Sequence, residues 1–582
     1  MPKEMSDNEK ERWRERSAHA DFVWQEKGLT GNSTSEIGSI LRLLDAYRGD
    51  QWKHIGVMNG VSWDNHLVIN TMFTTANTLE AQLLAQLPSA QVFGKTPAAA
   101  LKQKAWKALL DWAITEIKFD RAANAALRDA FFRFGVIRMG YTPPDEIFDN
   151  KNRQVEFGSP TTSNLPWLRR VAPWDIRIDP LAESWHADSD ARWCEFISLY
   201  TLEQLKRMPG ITVPRDLTAT ISKDKRQTDE RRRVDHYTYE AANLVEVRTV
   251  YDAEERKWFQ WSPGSDKLLR APDDWPDVFR GLEGLPYAML AFNEPADDAC
   301  PIGYADMIWP LQSERNKVRT MLSELVRRHR RIITGNKSAF DELERQKITE
   351  GELAEIFWAN GDVQLALREI PVAGFDQGLL LYDAAIQEDI RETIGQSKMA
   401  RAQRINVETA TEAARVGAGD DVQMGRNQIK VHTWLKDSIR MFAKGIQALP
   451  NSQFTIPVVG LRDAQLLMTG LPQVLQISTE QLQGEFDFDI AVGSNLPRSE
   501  RQEIGKSMAW LQTATQFPQN VNIPAALTDL AVSMGKDPAT SLMNAQQVSA
   551  TEAALPNSSP VEQSPGGINP IPFLVIEGGK AA

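Results

Sequence analysis

Between Gly303 and Ala448 the chain sets down a helical stripe, a short mixed segment and a second helical stripe, an order that few architectures accommodate. Ile308, Leu311, Val318, Leu322 and Leu325 recur at helical spacing, and the register ends in Arg327, Arg328, His329, Arg330 and Arg331. Leu379, Tyr382, Ile386, Ile390 and Ile394 then restart the pattern. Two helices bracketing a compact insertion read as a projecting stalk. At about 1.5 Å of rise per residue, Tyr304 to Arg331 spans roughly 40 Å and Phe375 to Ile394 roughly 30 Å. The interval holds no catalytic constellation, so what it specifies is architecture.

The rest of the chain narrows the class by exclusion. At 582 residues, 42% hydrophobic and 25% charged, it has core for several domains. No run nears the eighteen or so apolar residues of a membrane span, and the charged first thirty residues lack a signal-peptide centre. Cys194 and Cys300, the only cysteines, have neither metal nor disulfide spacing; they read as packing residues of a reducing compartment. A net charge of −12 argues against a static nucleic-acid binder, because such binding neutralises phosphates with cations. It is compatible with an acidic wall past which DNA slides.

No enzyme signature emerges. Gly505-Lys506-Ser507 lacks the first P-loop glycine, Glu500 standing in its place, so backbone amides have no loop to curl round a phosphate. There is no Gly-x-Ser-x-Gly elbow, and the seven histidines are scattered. Asp487 and Asp489 flank Phe488 with strand alternation and read as a solvent face rather than paired acids. No metal or cofactor is expected.

Along the chain, residues 1–48 read as charged helical segments closed by a turn at Arg48-Gly49-Asp50. Helices are expected from His66 to Leu87 and from Leu101 through Ile117 to near Phe134. From about Val136 to Arg280 short extended runs take over: 167–171, 176–179, 194–200, 236–239, 244–251 and 257–261, with a helical insert at 202–208 and a charged loop at 223–233. Asn406 to Leu449 is helical in pattern, with a bend or break expected at Gly417, Gly419 and Gly425. Strands at 454–459 and 486–492 flank a helical piece at 463–468. Helical patterns at 500–515 and 523–534 precede a Ser, Pro, Gly and Gln-rich tail from about Gln547. The fold class is α+β, mainly helical.

The order of several short motifs resembles that of the portal proteins, or head-tail connectors, of tailed bacteriophages, especially the short-tailed type. Tyr47-Arg48-Gly49-Asp50-Gln51-Trp52 is similar to an early family element and is followed by the Asn70 helix and Gln86-Leu87-Pro88-Ser89-Ala90-Gln91-Val92. Pro173 to Pro180 and Ala191-Arg192-Trp193 precede a Thr-x-Glu-x-Leu helix at Thr201 to Leu205. Pro286-Tyr287, Gly303, Pro310-Leu311-Gln312 and Asn316 resemble the approach to the first stem helix, and Asn406 to Arg415 the start of the long helix after the second. The likeness covers roughly residues 45–500.

The resemblance implies a ring, usually of twelve copies, at one capsid vertex around a DNA channel. It would divide the chain into wing (1–300), first stem helix (301–331), clip (332–373), second stem helix (374–395), tunnel loop (396–407), a long kinked helix returning to the wing (408–495), crown (496–546) and a flexible or docked tail (547–582). Between Leu311 and Arg331 seven basic residues face two acidic ones, whereas from Ile332 to Val372 eight acidic oppose four basic. That contrast makes Arg327, Arg328, Arg330 and Arg331 candidates for meeting channel DNA or a neighbour's acids. A role confined to favouring the helix C-terminus is the competing reading. Lys398, Arg401 and Arg404 would be the tunnel-loop cations, unless the segment is a plain helix connection. Clip docking candidates are Asp341, Glu342, Glu344, Glu350, Glu352, Glu355, Phe357 and Trp358. Implied partners are further copies of the chain, double-stranded DNA held transiently and without sequence preference, the terminase large subunit, a tail adaptor, and the major capsid and scaffolding proteins. No membrane is implied. The location would be the head-tail junction of the virion, reached from the host cytoplasm. A non-channel helical adaptor or scaffold is the rival class; a nuclease with a dispersed site is a distant third.

Overall fold

The computed structural model describes residues 5–29, 40–56, 65–84, 89–142, 165–220, 244–328, 332–335, 367–370, 377–395, 410–449, 453–457 and 474–490, with a few isolated positions besides. Residues 1–456 and 476–497 form one unit; 457–475 and 498–582 form a second, of which only short pieces are described. The described elements mix helix and sheet in an α+β arrangement.

Helix α1 (Asp7–Glu26) starts at a capping box in which Ser6 and Glu9 satisfy each other's backbone amides. Helix α2 (Ile40–Arg48) stops at Gly49, whose φ of 101° lets Asp50 N–H reach back to the Asp45 carbonyl at 2.9 Å. The Arg48-Gly49-Asp50 turn is thus a helix terminator. A short turn, α3 (Trp52–Ile55), follows. Helix α4 (Thr71–Leu83) begins five residues later than its pattern suggests, because Asn70 caps it by accepting from Phe73 N–H and residues 66–70 lie outside any helix. Then come β1 (Ala90–Gly94), α5 (Pro97–Glu116) and α6 (Phe119–Phe132).

Strands β2 (Gly135–Gly140) and β3 (Trp167–Val171) pair antiparallel. Strands β4 (Ile176–Ile178) and β5 (Trp193–Thr201) begin a second sheet; α7 (Leu202–Leu205), β6 (Leu244–Asp252), β7 (Lys257–Trp261) and β8 (Arg270–Asp274) follow. With β9 (Tyr287–Leu290), the sheets are three-stranded, β3-β2-β9, and five-stranded, β4-β5-β6-β7-β8. Of the strands up to this point, the sequence reading misses β1, β2, β8 and β9. Strand β2 is buried on both faces, so it shows no alternation to read.

Helix α8 (Tyr304–Arg328) leads to an antiparallel ribbon of β10 (Ile332–Gly335) and β11 (Leu367–Ile370), with Ile332 opposite Ile370, and the chain continues into α9 (Gln377–Ile394). Gly303 sits where an added Cβ would lie 1.9 Å from the Phe132 carbonyl, so only glycine lets α8 start against the end of α6.

Helix α10 (Ala410–Ala448) is continuous over 39 residues, so no break occurs at Gly417, Gly419 or Gly425. Its C-terminal half is fixed by packing: Val431, Trp434, Leu435, Ile439, Phe442 and Ile446 are buried, and Trp434 Nε1 donates to the Ala288 carbonyl at 3.3 Å. Burial of one face fixes the helix beyond the three glycines. Strands β12 (Gln453–Pro457) and β13 (Val474–Ser478), the turn α11 (Thr479–Leu482) and β14 (Phe486–Ile490) complete the order. β14 pairs with β1 and sets Val92 opposite Phe488. Phe488 is buried while Asp487 and Asp489 are half-buried, and Asp489 meets Lys436 at 3.0 Å.

Both cysteines are buried and free. The expected strand at 236–239, the loop at 223–233, the helical piece at 463–468, the helix at 523–534 and the tail lie outside the described residues; of 500–515 only 508–510 and 512 are described, as helix.

Candidate channel hairpin

The hairpin α8-ribbon-α9 is seated by an apolar stripe and by a polar one. Ile308, Val318 and Leu322 of α8 and Ile386, Ile390 and Ile394 of α9 are buried in the main core. Leu325 and Tyr382 of the two stripes are instead exposed, as are Met321, Val326, Leu380 and Leu381, while Leu379 is half-buried against the core.

The polar stripe is Gln312, Asn316 and Thr320, each fully buried. Leu67 N–H donates to Thr320 Oγ1 at 3.1 Å, Ile69 N–H to Asn316 Oδ1 at 3.0 Å and Thr71 N–H to Gln312 Oε1 at 3.1 Å. Every fourth helix residue is about 6 Å along the axis, so the three acceptors line up with every second amide of residues 67–71. Gln51 closes the network: its Nε2 donates to the Ala46 carbonyl at 2.9 Å, and its Oε1 accepts from Gln312 Nε2 at 3.1 Å and from Asn316 Nδ2. Gln51, Asn70, Gln312 and Asn316, quoted above only for their order, thus meet in one contact. Sequence carries only the four-residue spacing of Gln312, Asn316 and Thr320 on a helix rich in charge, which does not mark them as interior.

Charges on the hairpin are largely spoken for near its base. Arg315 is buried, donating Nη1 to Thr71 Oγ1 at 2.7 Å and placing Nε 3.3 Å from Asp383; Arg319 Nη2 lies 2.9 Å from the same carboxylate. Lys317 lies 3.7 Å from Glu314. In the first turn of α8, burial raises the Asp306 carboxyl to about 6, against the pull of Arg133 at 3.1 Å. Of the seven cations counted between Leu311 and Arg331, three are therefore already paired, and the excess is concentrated in the arginine run at the helix end.

Arg327 and Arg328 form the last residues of α8. Asp341 and Glu342 are exposed. Arg330, Arg331, Lys398, Arg401, Arg404, Glu344, Glu350, Glu352, Glu355, Phe357 and Trp358 lie outside the described residues. Among the described residues no cluster of His, Cys, Asp and Glu has the geometry of a metal site, and no helix is long and apolar enough to cross a membrane.

A helical hairpin with an exposed apolar end is thus seated on an α+β body. The family model of Phage P22-like portal proteins matches residues 40–565, and the chain belongs to that family, the portal proteins of short-tailed phages. Portal proteins are structural components at a capsid vertex. No curated protein matches the chain.

Proposed function

We propose that twelve copies of this chain close into a ring at one capsid vertex and form the channel through which the genome is packaged and later ejected. Membership of the portal family carries the reading, and the exposed apolar residues at the outer parts of α8 and α9 support it: Val326 is 63% exposed and Leu381 72%. A head-to-tail contact repeated round a closed axis buries such surface on every protomer.

In this reading α8 and α9 are the stem and 332–373 the acidic clip, which docks the terminase motor and then the tail adaptor. The body before residue 300, with the return from 408 to 495, is the wing, and 496–546 the crown. Arg327, Arg328, Arg330 and Arg331, with Lys398, Arg401 and Arg404 of the tunnel loop, touch phosphates briefly and read no bases. The net charge of −12 keeps DNA from adhering elsewhere. Energy for packaging comes from the motor's ATPase.

Electron micrographs and native mass of the purified chain test this directly. An annulus with an open centre is expected, whereas a stable monomer or dimer at high concentration would favour a non-channel adaptor. Changing all four stem arginines to Gln lowers packaged DNA per particle; unchanged packaging would remove them from the channel.

A further inference from the structure

A cleft of about 460 Å³ opens where the three-stranded and five-stranded sheets meet, a volume in the range of small-molecule sites. Trp167 lines it from one sheet, Tyr251 and Trp258 from the other. Tyr251 and Trp258 are stacked, with centroids 6.1 Å apart and planes 12° from parallel. Arg138 of β2 also lines the cleft, its guanidinium 4.4 Å from the Phe196 ring centroid, 5.4 Å from Trp167 and 5.9 Å from Tyr251.

The chemistry of this cleft is unbalanced. Among the described residues no carboxylate pairs with Arg138, and its buried Nε has no hydrogen-bond partner. Aromatic faces and a side-chain hydrogen bond to Tyr251 offset part of the cost of a half-buried cation but leave its Nε–H without an acceptor. Asp277, the one acid among the described lining residues, is engaged by Arg280 at 2.9 Å. Gln260, also in the lining, leaves its buried Oε1 without a donor. A positive, aromatic-walled slot with an unfilled donor and an unfilled acceptor fits a flat ring that carries a negative group.

We propose that the cleft binds a planar aromatic ligand bearing one anionic group, with the anion directed to Arg138 and the ring between the tryptophan and tyrosine walls. This stands apart from the channel reading: the cleft belongs to the sheet body, and its ligand is a small molecule.

Isothermal titration of the full chain with AMP and with indole-3-carboxylate supplies ring-bearing phosphate and carboxylate probes. Adenosine lacks the charge, and inorganic phosphate lacks the ring. At least one ring-bearing anion saturates at one per protomer and binds at least ~10-fold tighter than adenosine or phosphate. Whichever probe is the tighter identifies the anion as phosphate or carboxylate. Arg138→Gln brings the tighter anion down to the affinity of adenosine, and Arg138→Lys retains part of the difference, with thermal unfolding confirming that both variants fold. The proposal is overturned if neither anion saturates by about 5 mM, if neither anion binds the parent more tightly than adenosine and phosphate, or if Arg138→Gln preserves the preference of the tighter anion. The parent titrations decide even where a variant fails to fold.

Discussion

Asp383 of α9 is bracketed by two arginines of α8, and the nearer to the core, Arg315, approaches its Oδ1 to 3.3 Å while itself buried. The second, Arg319, takes Oδ2 at 2.9 Å from a more exposed position. One carboxylate thereby fixes the lateral register of the two helices. Asp383→Asn leaves the buried Arg315 without a counter-charge and should cost about 3–5 kcal/mol, read from denaturant unfolding. The double change Arg315→Met, Asp383→Leu should recover most of that loss, because it removes both desolvation penalties together. A loss below about 1 kcal/mol for the single variant would mean that the apolar stripe alone sets the register.

The polar ladder makes a graded prediction. Asn316→Leu removes the acceptor for Ile69 N–H and the donor to Gln51 in a fully buried setting, and should cost roughly 1–3 kcal/mol for each group left unpaired. Thr320→Val is nearly isosteric and strands only Leu67 N–H, on a residue 38% exposed that water can reach, so it should cost about 1 kcal/mol or less. Hydrogen exchange reads this directly: the amides of Ile69 and Thr71 should be protected in the parent and lose protection in Asn316→Leu. Equal exchange in parent and variant would remove the ladder as the anchor of residues 67–71.

Asp306 gives a pH dependence of definite sign. Its carboxyl titrates at about 6 in the folded chain against 3.8 for the ordinary group, so between those values the folded state holds a proton that the unfolded state has released. Stability from this group therefore rises as pH falls from about 7 to about 4, and above pH 6 the ionised, buried carboxylate is a standing cost on the order of 2–3 kcal/mol. Asp306→Asn imitates the neutral form. Relative to the parent it should be more stable at pH 8 than at pH 4.5, by a similar margin in chemical denaturation. The reverse trend would show that attraction to Arg133 exceeds the burial penalty.

These tests fall largely on features that sequence periodicity did not expose. The buried members of the apolar stripes, from Ile308 to Leu322 and from Ile386 to Ile394, were legible because burial on one helix face repeats every three or four residues. Leu325 and Tyr382 extend the same period yet stand in solvent in the protomer, since periodicity cannot tell a core from a surface awaiting a partner. Gln312, Asn316 and Thr320 mislead in the opposite sense: polar spacing reads as a wet face, and only the amides of Leu67, Ile69 and Thr71 make it interior. Strands β1 and β14 pair across most of the chain, where no local pattern carries the match. Of the candidate channel and clip residues the sequence supplied types and charges, and only Arg327, Arg328, Asp341 and Glu342 fall among the described residues.

The exposed ends of the stripes bear on assembly. Val326 and Leu381 are 63% and 72% exposed in the protomer, and burying each against a neighbouring copy would contribute about 1.5–3 kcal/mol per contact. A closed ring repeats that contribution at every interface. Val326→Asp with Leu381→Asp changes nothing in the protomer core, so circular dichroism and unfolding of the isolated chain should stay within about 0.5 kcal/mol of the parent. Ring formation, read by native mass and micrographs, should fall sharply because a carboxylate buried in the contact has no counter-charge. Leu381→Met keeps the apolar surface and should keep the ring. Rings of normal yield from the double Asp variant would place the subunit contact elsewhere on the molecule and leave the apolar ends of α8 and α9 for a different partner.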